Sequence, residues 1–313
     1  MADTGQIIGG YKLRGLLHTG RDTQVWEVVE PTSNRHFAMK ILLPEYVNSK
    51  VERNKLFNDA MIGKELRHEN VINIQKVSAN KAATPYFIME YFAAGAIRRR
   101  LISKDPKDKE FLKVNSRKII RQCCTAMAYM NGSGFVHCDL KPDNIVCNSL
   151  GQTKIIDFAI SKRIQKGFFA KMMRKRGAPE GTATYMSPEQ IRCDLLDGRS
   201  DIYSMGIVFF EMVTGRPVFR GNSVADLYRK HFSEKAPLPS SFNPDVTDEF
   251  GNLVLKMMNK KKEDRFKSFH EVMIELKKIK IYKSLKEEED EQHSGMGGMM
   301  KFEGNFLRAA NGA

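Results

Sequence analysis

Between Tyr11 and Phe92 the apolar residues fall in short runs, "QVWEVVE", "HFAMKILL" and "PYFIMEYF", which predict β-strands. One stretch, from about Lys50 to Arg67, changes to helical spacing, so this part of the chain predicts a small sheet with a single packed helix. Beyond it the period is helical. In "NSRKIIRQCCTAMAYMNGSG" the residues Ile119, Ile120, Cys123, Met127 and Met130 keep helix-like spacings up to a glycine-rich stop. "SDIYSMGIVFFEMVTG", "DEFGNLVLKMMNK" and "FHEVMIELKKIKIY" carry that period to about Leu285. Residues 286–313 combine an acidic run with Gly, Met and Asn and hold no apolar period, which predicts a mobile tail. The expected layout is α+β: an extension over 1–10, a β-rich lobe over 11–92, a helical lobe over 93–285, and the tail.

Composition narrows the partners. With 313 residues, 42% of them hydrophobic, the chain can bury an ordinary globular core. Its net charge of +14 favours anionic partners: nucleotides, phosphoproteins, nucleic acid or an anionic membrane surface. The runs "RRR" and "KMMRKR" raise the nucleic-acid alternative, but no nucleic-acid-binding motif accompanies them. The five cysteines show neither paired C-x-x-C spacing nor a histidine pattern, which argues against a disulfide framework and a zinc site. No apolar run approaches the roughly 18 residues of a membrane span, and "MADTGQIIGG" lacks a signal layout. A soluble chain in a reducing cytoplasm is the expectation.

Three short stretches carry the chemistry. "HCDLKPDN" places Asp139, Lys141 and Asn144 within six positions on a loop after a helix. "KIIDFAISK" is a β-type run ending in Asp157, and "FAMK" carries Lys40 among apolar neighbours. Two carboxylates, an amide and a lysine at strand ends can together hold a metal–polyphosphate.

With "GTATYMSPEQ" and "SDIYSMGIVFFEMVTGRPVF" added, the chain from about Tyr11 to Leu285 resembles a protein kinase, and it is most similar to the eukaryotic-like Ser/Thr kinases of bacteria. The resemblance implies a bilobal fold and ATP-dependent phosphorylation of protein Ser or Thr hydroxyls, with Mg²⁺ or Mn²⁺. By the same match Asp139 takes the acceptor proton, Lys141 steadies the transferred group, and Lys40 grips the α- and β-phosphates. Asn144 and Asp157 match the metal-binding positions. Gly20 belongs to the phosphate-covering loop; Val25, Ala38 and Val146 match the adenine roof and floor; Met89, Glu90, Tyr91 and Phe92 match the connector that meets the base. The resemblance further implies that Thr182 braces the catalytic pair, that Glu189 and Arg265 form a structural ion pair, and that Asp201 supports the catalytic-loop backbone. "DLKPxN" is the pattern of the family's Ser/Thr branch.

The chain also departs from the pattern. "HTGRDTQV" keeps Gly20 but has His18 and Thr23 where glycines are expected, which predicts poorer backbone approach to the phosphates. Asp59 stands where a glutamate pairs with Lys40, one methylene short, and Gly63 stands where a large apolar side chain links the lobes. Together they predict a helix whose engaged position is weakly favoured, and they keep open the alternative of a pseudokinase scaffold. Ala159 replaces the glycine that usually ends the metal-binding motif. Cys138 replaces an arginine that clamps an activation-segment phosphate, and residues 162–180 contain no Ser, Thr or Tyr. Activation by phosphorylation within that stretch is therefore not expected; Ser161, Thr182 and Thr184 flank it. The stretch carries seven basic residues interleaved with Phe168, Phe169, Met172 and Met173, so it reads either as a docking surface for an acidic partner or as a solvated loop. The run from Glu287 to Glu291 is one candidate for that partner.

Overall fold

Alternation along the strands sorts the small sheet's two faces. The computed structural model describes residues 2–165 and 178–285. Six strands, β1 (Ile7–Ile8), β2 (Tyr11–Thr19), β3 (Thr23–Glu30), β4 (Arg35–Leu42), β5 (Ile74–Val77) and β6 (Tyr86–Glu90), form an antiparallel sheet in the order β1-β2-β3-β4-β6-β5. Phe37, Met39 and Ile41 of β4 bury one face with Leu13, Trp26, Val28 and Ile88. The intervening residues face the other way. There Leu42 packs with Phe87, Ile74 and the helix α1 (Lys50–Glu65), through Leu56 and Ala60. Ser49 caps α1 by accepting from the Glu52 amide, and its buried Leu56, Asp59, Ala60, Ile62 and Gly63 recur at helical spacing. The helix ends two residues before the sequence-predicted Arg67, where Leu66 turns extended.

The helical part is arranged around one helix buried on all sides. After β7 (Gly95–Ala96) come α2 (Ile97–Ile102), α3 (Pro106–Val114) and α4 (Ser116–Gly132), then β8 (Phe135–Val136), β9 (Ile145–Cys147), β10 (Thr153–Ile155) and β11 (Lys162–Arg163). The described remainder is α5 (Pro188–Ile191), α6 (Gly198–Thr214), α7 (Val224–Ser233), α8 (Asp248–Met257) and α9 (Phe269–Lys277). Every residue of α6 from Ser200 to Val213 is buried, as its nearly unbroken apolar sequence requires. Asp197 caps its start, and Gly215, at φ 69°, closes its end with a bond from its amide to Glu211 O. The compact unit runs to Lys283, and only the first two residues of the separate unit that follows are described. All five cysteines are free thiols. Phe168, Phe169, Met172, Met173 and the acidic run Glu287–Glu291 lie outside the described residues. No helix among the described residues is long and apolar enough to cross a membrane.

His231 on α7 is fully buried, with Nδ1 2.9 Å from the Tyr203 hydroxyl on α6. Burial, helped by the Lys260 cation, pushes its pKa down from 6.5 to about 4. The unfolded chain therefore binds a proton that the folded chain refuses, so stability is complete above pH 6.5 and falls as the pH drops toward 4. The loss is expected to reach about 3 kcal/mol at most. Denaturant melts at pH 7.5, 6 and 5 check this: His231→Gln should flatten the acid slope, and an unchanged slope would refute the assignment.

Candidate active site

Sheet register sets the first part of the site. Val25 pairs with Lys40, Ala38 with Glu27 and Met89, and Lys40 with Phe87, so Val25, Ala38, Lys40 and Met89 share the face toward α1. Lys40 Nζ lies 2.6 Å from Asp59 Oδ2 and 3.0 Å from Asp157 Oδ1. The shorter aspartate thus completes the ion pair that its length put in question. Burial works against the ammonium, but the two carboxylates overcome it and hold Lys40 charged. Burial also opposes the charge on Asp157, yet Lys40 brings that carboxyl down to about 2. Asp59 goes the other way, pushed up by burial despite the pull of Lys40.

α1 is held in this engaged position by more than the ion pair. Asp59 Oδ1 accepts from the Phe158 amide at 2.9 Å, and the Asn58 amide nitrogen donates to the carbonyls of Phe158, Ala159 and Ser161 at 3.0, 3.0 and 3.1 Å. Asn58 escaped the sequence reading because its partners lie a hundred residues away; its position beside Asp59 was the only available signal. Gly63 is no gap either. A Cβ there would clash with Ile74 Cδ1 and come within 3.1 Å of Phe158 Cδ2, so these two side chains already occupy the place expected for a large residue. Gly63→Leu is therefore expected to destabilise the fold by about 1–3 kcal/mol despite leucine's better helix propensity. A denaturant midpoint at or above wild type would contradict that packing.

The loop carrying Asp139, Lys141 and Asn144 follows β8. Cys138 adopts φ 69° and Asp157 φ 71°, both costly for a residue with a Cβ. Asp201, buried on α6, supports the first by accepting from the amides of His137, at 2.9 Å, and Cys138, at 3.2 Å, and from Asn131 Nδ2, at 2.9 Å. Asp139 then sits in a closed set of contacts. Its Oδ1 accepts from the Thr182 hydroxyl at 2.8 Å and amide at 3.0 Å, and its Oδ2 accepts from Lys141 Nζ at 2.7 Å. Lys141 also donates to the Thr182 hydroxyl at 3.0 Å. Asn144 Nδ2 donates to Asp139 O at 2.8 Å, and Asn144 O accepts from the Ile156 amide at 3.0 Å, which brings Asn144 beside Asp157.

Val146 on β9 pairs with Ala96 and Lys154 and is half-buried, as are Val25 and Met89. Glu90 bonds Asn73 through both its amide and its carboxylate, which anchors the connector that continues through Tyr91 and Phe92. Gly20 forms the β2–β3 turn, its amide donating to Thr23 O at 2.8 Å, while His18 and Thr19 stay in the ladder opposite Val25 and Gln24. Glu189 and Arg265 form a bidentate pair at 2.6 and 2.9 Å.

Asp157 and Asn144 offer a carboxylate and an amide oxygen, both hard donors. Among the described residues no three His, Cys, Asp or Glu side chains gather into a metal cage. This donor set fits Mg²⁺, which takes one or two protein oxygens and draws the rest from phosphate and water.

The protein kinase domain model matches residues 11–275. The chain belongs to the protein kinase family. Among the curated relatives of this kinase domain are probable serine/threonine-protein kinases of Streptomyces coelicolor, 28% identical over 279 residues, and of Clostridium acetobutylicum, 30% identical over 273. The serine/threonine-protein kinase PrkC of Bacillus subtilis is 28% identical over 273 residues. These alignments cover 88, 86 and 87% of the chain but 41, 40 and 41% of the relatives, so the chain spans about two fifths of their length. Among solved structures, a double mutant of the Mycobacterium tuberculosis PknI kinase domain superposes with a TM-score of 0.66 at 19% identity, covering 89% of this chain and 98% of that one. That likeness shows the bilobal α+β kinase fold.

Proposed function

We propose that the chain is an active Ser/Thr protein kinase, using ATP and Mg²⁺, rather than a nucleotide-binding scaffold. The observation that carries this reading is the Asp139–Lys141–Thr182 arrangement, in which a carboxylate is oriented by an ammonium and a hydroxyl within 3.0 Å. In the reaction Asp139 receives the proton of the acceptor hydroxyl and aligns its oxygen, while Lys141 places positive charge beside the moving phosphoryl group. Lys40, fixed by Asp59, holds the polyphosphate by charge. Asp157 and Asn144 would hold Mg²⁺, which would supply charge neutralisation when bound. Thr182 keeps Asp139 from turning away.

The activation segment supports a kinase that needs no phosphate within it. Its flanking Ser161 is buried, with its hydroxyl donating to His137 O at 2.9 Å, and the Thr182 hydroxyl is committed to Asp139 and Lys141. The described shoulders of the segment are joined by the Lys162–Glu180 ion pair at 2.9 Å, and Gln190 Nε2 bridges Cys138 O and Glu180 O at 2.5 and 2.7 Å. These contacts tie Lys162 and Glu180, the described shoulders, to each other and Glu180 to Cys138 through Gln190, with no phosphate among them.

The test is transfer of labelled γ-phosphate from ATP to the chain and to a generic basic protein, with Mg²⁺ and with Mn²⁺. Label on Ser or Thr, at a rate unaffected by prior phosphatase treatment, is the expected result. A folded protein that transfers nothing overturns the proposal in favour of the scaffold.

A further inference from the structure

Arg98 on α2 reaches into a cluster of acid beside the catalytic loop. Its Nε donates to Asp143 Oδ2 at 3.2 Å, its Nη1 to Glu211 Oε1 at 2.6 Å, and its Nη2 to the Tyr185 hydroxyl. That hydroxyl in turn donates to Glu211 Oε2 at 2.6 Å. Asp143 follows Lys141 by two residues and Tyr185 follows Thr182 by three, so the cluster adjoins the loop and segment that form the acceptor site. Glu211 is buried, and Asp143 is about half exposed.

The guanidinium itself shows what these acceptors bind. Burial opposes its charge, but Tyr185 and Glu211 hold it protonated, and burial with Glu211 raises the phenol's pKa so that Tyr185 stays neutral. Remove Arg98, and two carboxylates would stand next to the acceptor site with no cation between them. A basic side chain of an incoming protein would be drawn there by charge and by charge-assisted hydrogen bonds. We propose that Arg98 is a specificity-determining residue: it fills from within the chain the place a substrate Arg or Lys would take, so this kinase does not select acceptors with a basic residue at that position. The role in specificity rests on the phosphotransferase reading; occupancy of the acidic site does not.

The test compares wild type with Arg98→Gln, which keeps a donor for Glu211 but no charge, with Arg98→Ala, and with Arg98→Lys. Peptides of one sequence carry a single serine and either arginine or norleucine at each flanking position in turn. Binding is read by fluorescence anisotropy with a non-hydrolysable ATP analogue and Mg²⁺, and initial phosphorylation rates are read in parallel. Wild type and Arg98→Lys should bind the two peptide types alike at the affected position, whereas Arg98→Gln and Arg98→Ala should favour arginine there by about tenfold. Adding Glu211→Gln to Arg98→Gln should remove that gain. An unchanged ratio in Arg98→Gln, folded by its melting curve, overturns the proposal. So does a wild type that already prefers arginine and loses the preference in Asp143→Asn, a result that needs no Arg98 variant to fold. A binding shift without phosphate transfer by any form would sink the kinase reading alone, and transfer by wild type without a binding shift would sink this one alone.

Discussion

Asp139→Asn is expected to lose about 10²–10⁴-fold in phosphoryl transfer while still binding ATP. The substitution keeps the side chain's shape but removes its capacity to take a proton. It also reverses part of the local hydrogen bonding. Asp139 Oδ1 accepts from the Thr182 amide and hydroxyl, and Oδ2 accepts from Lys141, so an amide nitrogen in either position faces a donor. Lys141 keeps its second partner, the Thr182 hydroxyl at 3.0 Å, and the ion pairs of Lys40 with Asp59 and Asp157 belong to other elements. Rate and nucleotide affinity should therefore separate: calorimetry should give an ATP affinity within a few-fold of wild type, and labelled transfer should nearly vanish. Transfer within threefold of wild type would mean that Asp139 is not the proton acceptor.

The candidate site residues were legible because motifs with fixed spacing announce them one by one. "HCDLKPDN" and "KIIDF" are local signals, and the structure brings Asp139, Lys141, Asn144 and Asp157 together with Lys40 through strand register and one hydrogen bond between Asn144 and Ile156. The contacts that answer the departures were hidden for the same reason. Read alone, Asp59 is a shortened glutamate and Gly63 a missing side chain. In the fold, Asp59 bonds both Lys40 and the Phe158 amide, and Gly63 makes room that Ile74 and Phe158 fill. Each compensation comes from a segment distant in sequence, and no local pattern encodes it. The Arg98 cluster is the extreme case: its partners lie 45, 87 and 113 residues away, on a turn, a loop and the buried helix α6. Helices α2, α3 and α7 were likewise not singled out in the sequence, since each is short and only partly apolar.

Arg265→Lys is expected to destabilise the fold by about 3–5 kcal/mol, although it conserves the charge. Arg265 and Glu189 are among the most deeply buried charged side chains, with side-chain exposures of 0 and 3%. All five guanidinium N–H groups have acceptors. Nε bonds Asn259 O, Nη1 bonds Glu189 and Arg199 O, and Nη2 bonds Glu189 and Lys260 O. The guanidinium also lies over the Tyr203 ring, 4.8 Å from its centroid. A lysine ammonium has three donors and no plane, so at least two of these five contacts would be lost. Glu189 would lose its bidentate contact and keep the Ser200 hydroxyl at 2.7 Å, which is too little to hold a desolvated carboxylate. The consequence extends to function, because Glu189 follows the segment carrying Thr182 and Tyr185, and Arg199 and Ser200 open α6, which holds Asp201 and Glu211. Melting should fall by on the order of 10 °C. A double-mutant cycle of Arg265→Lys with Glu189→Gln should show strong coupling between the two losses. A melting temperature within 2–3 °C of wild type, roughly 1 kcal/mol for a chain of this size, would mean that the pair is not structural.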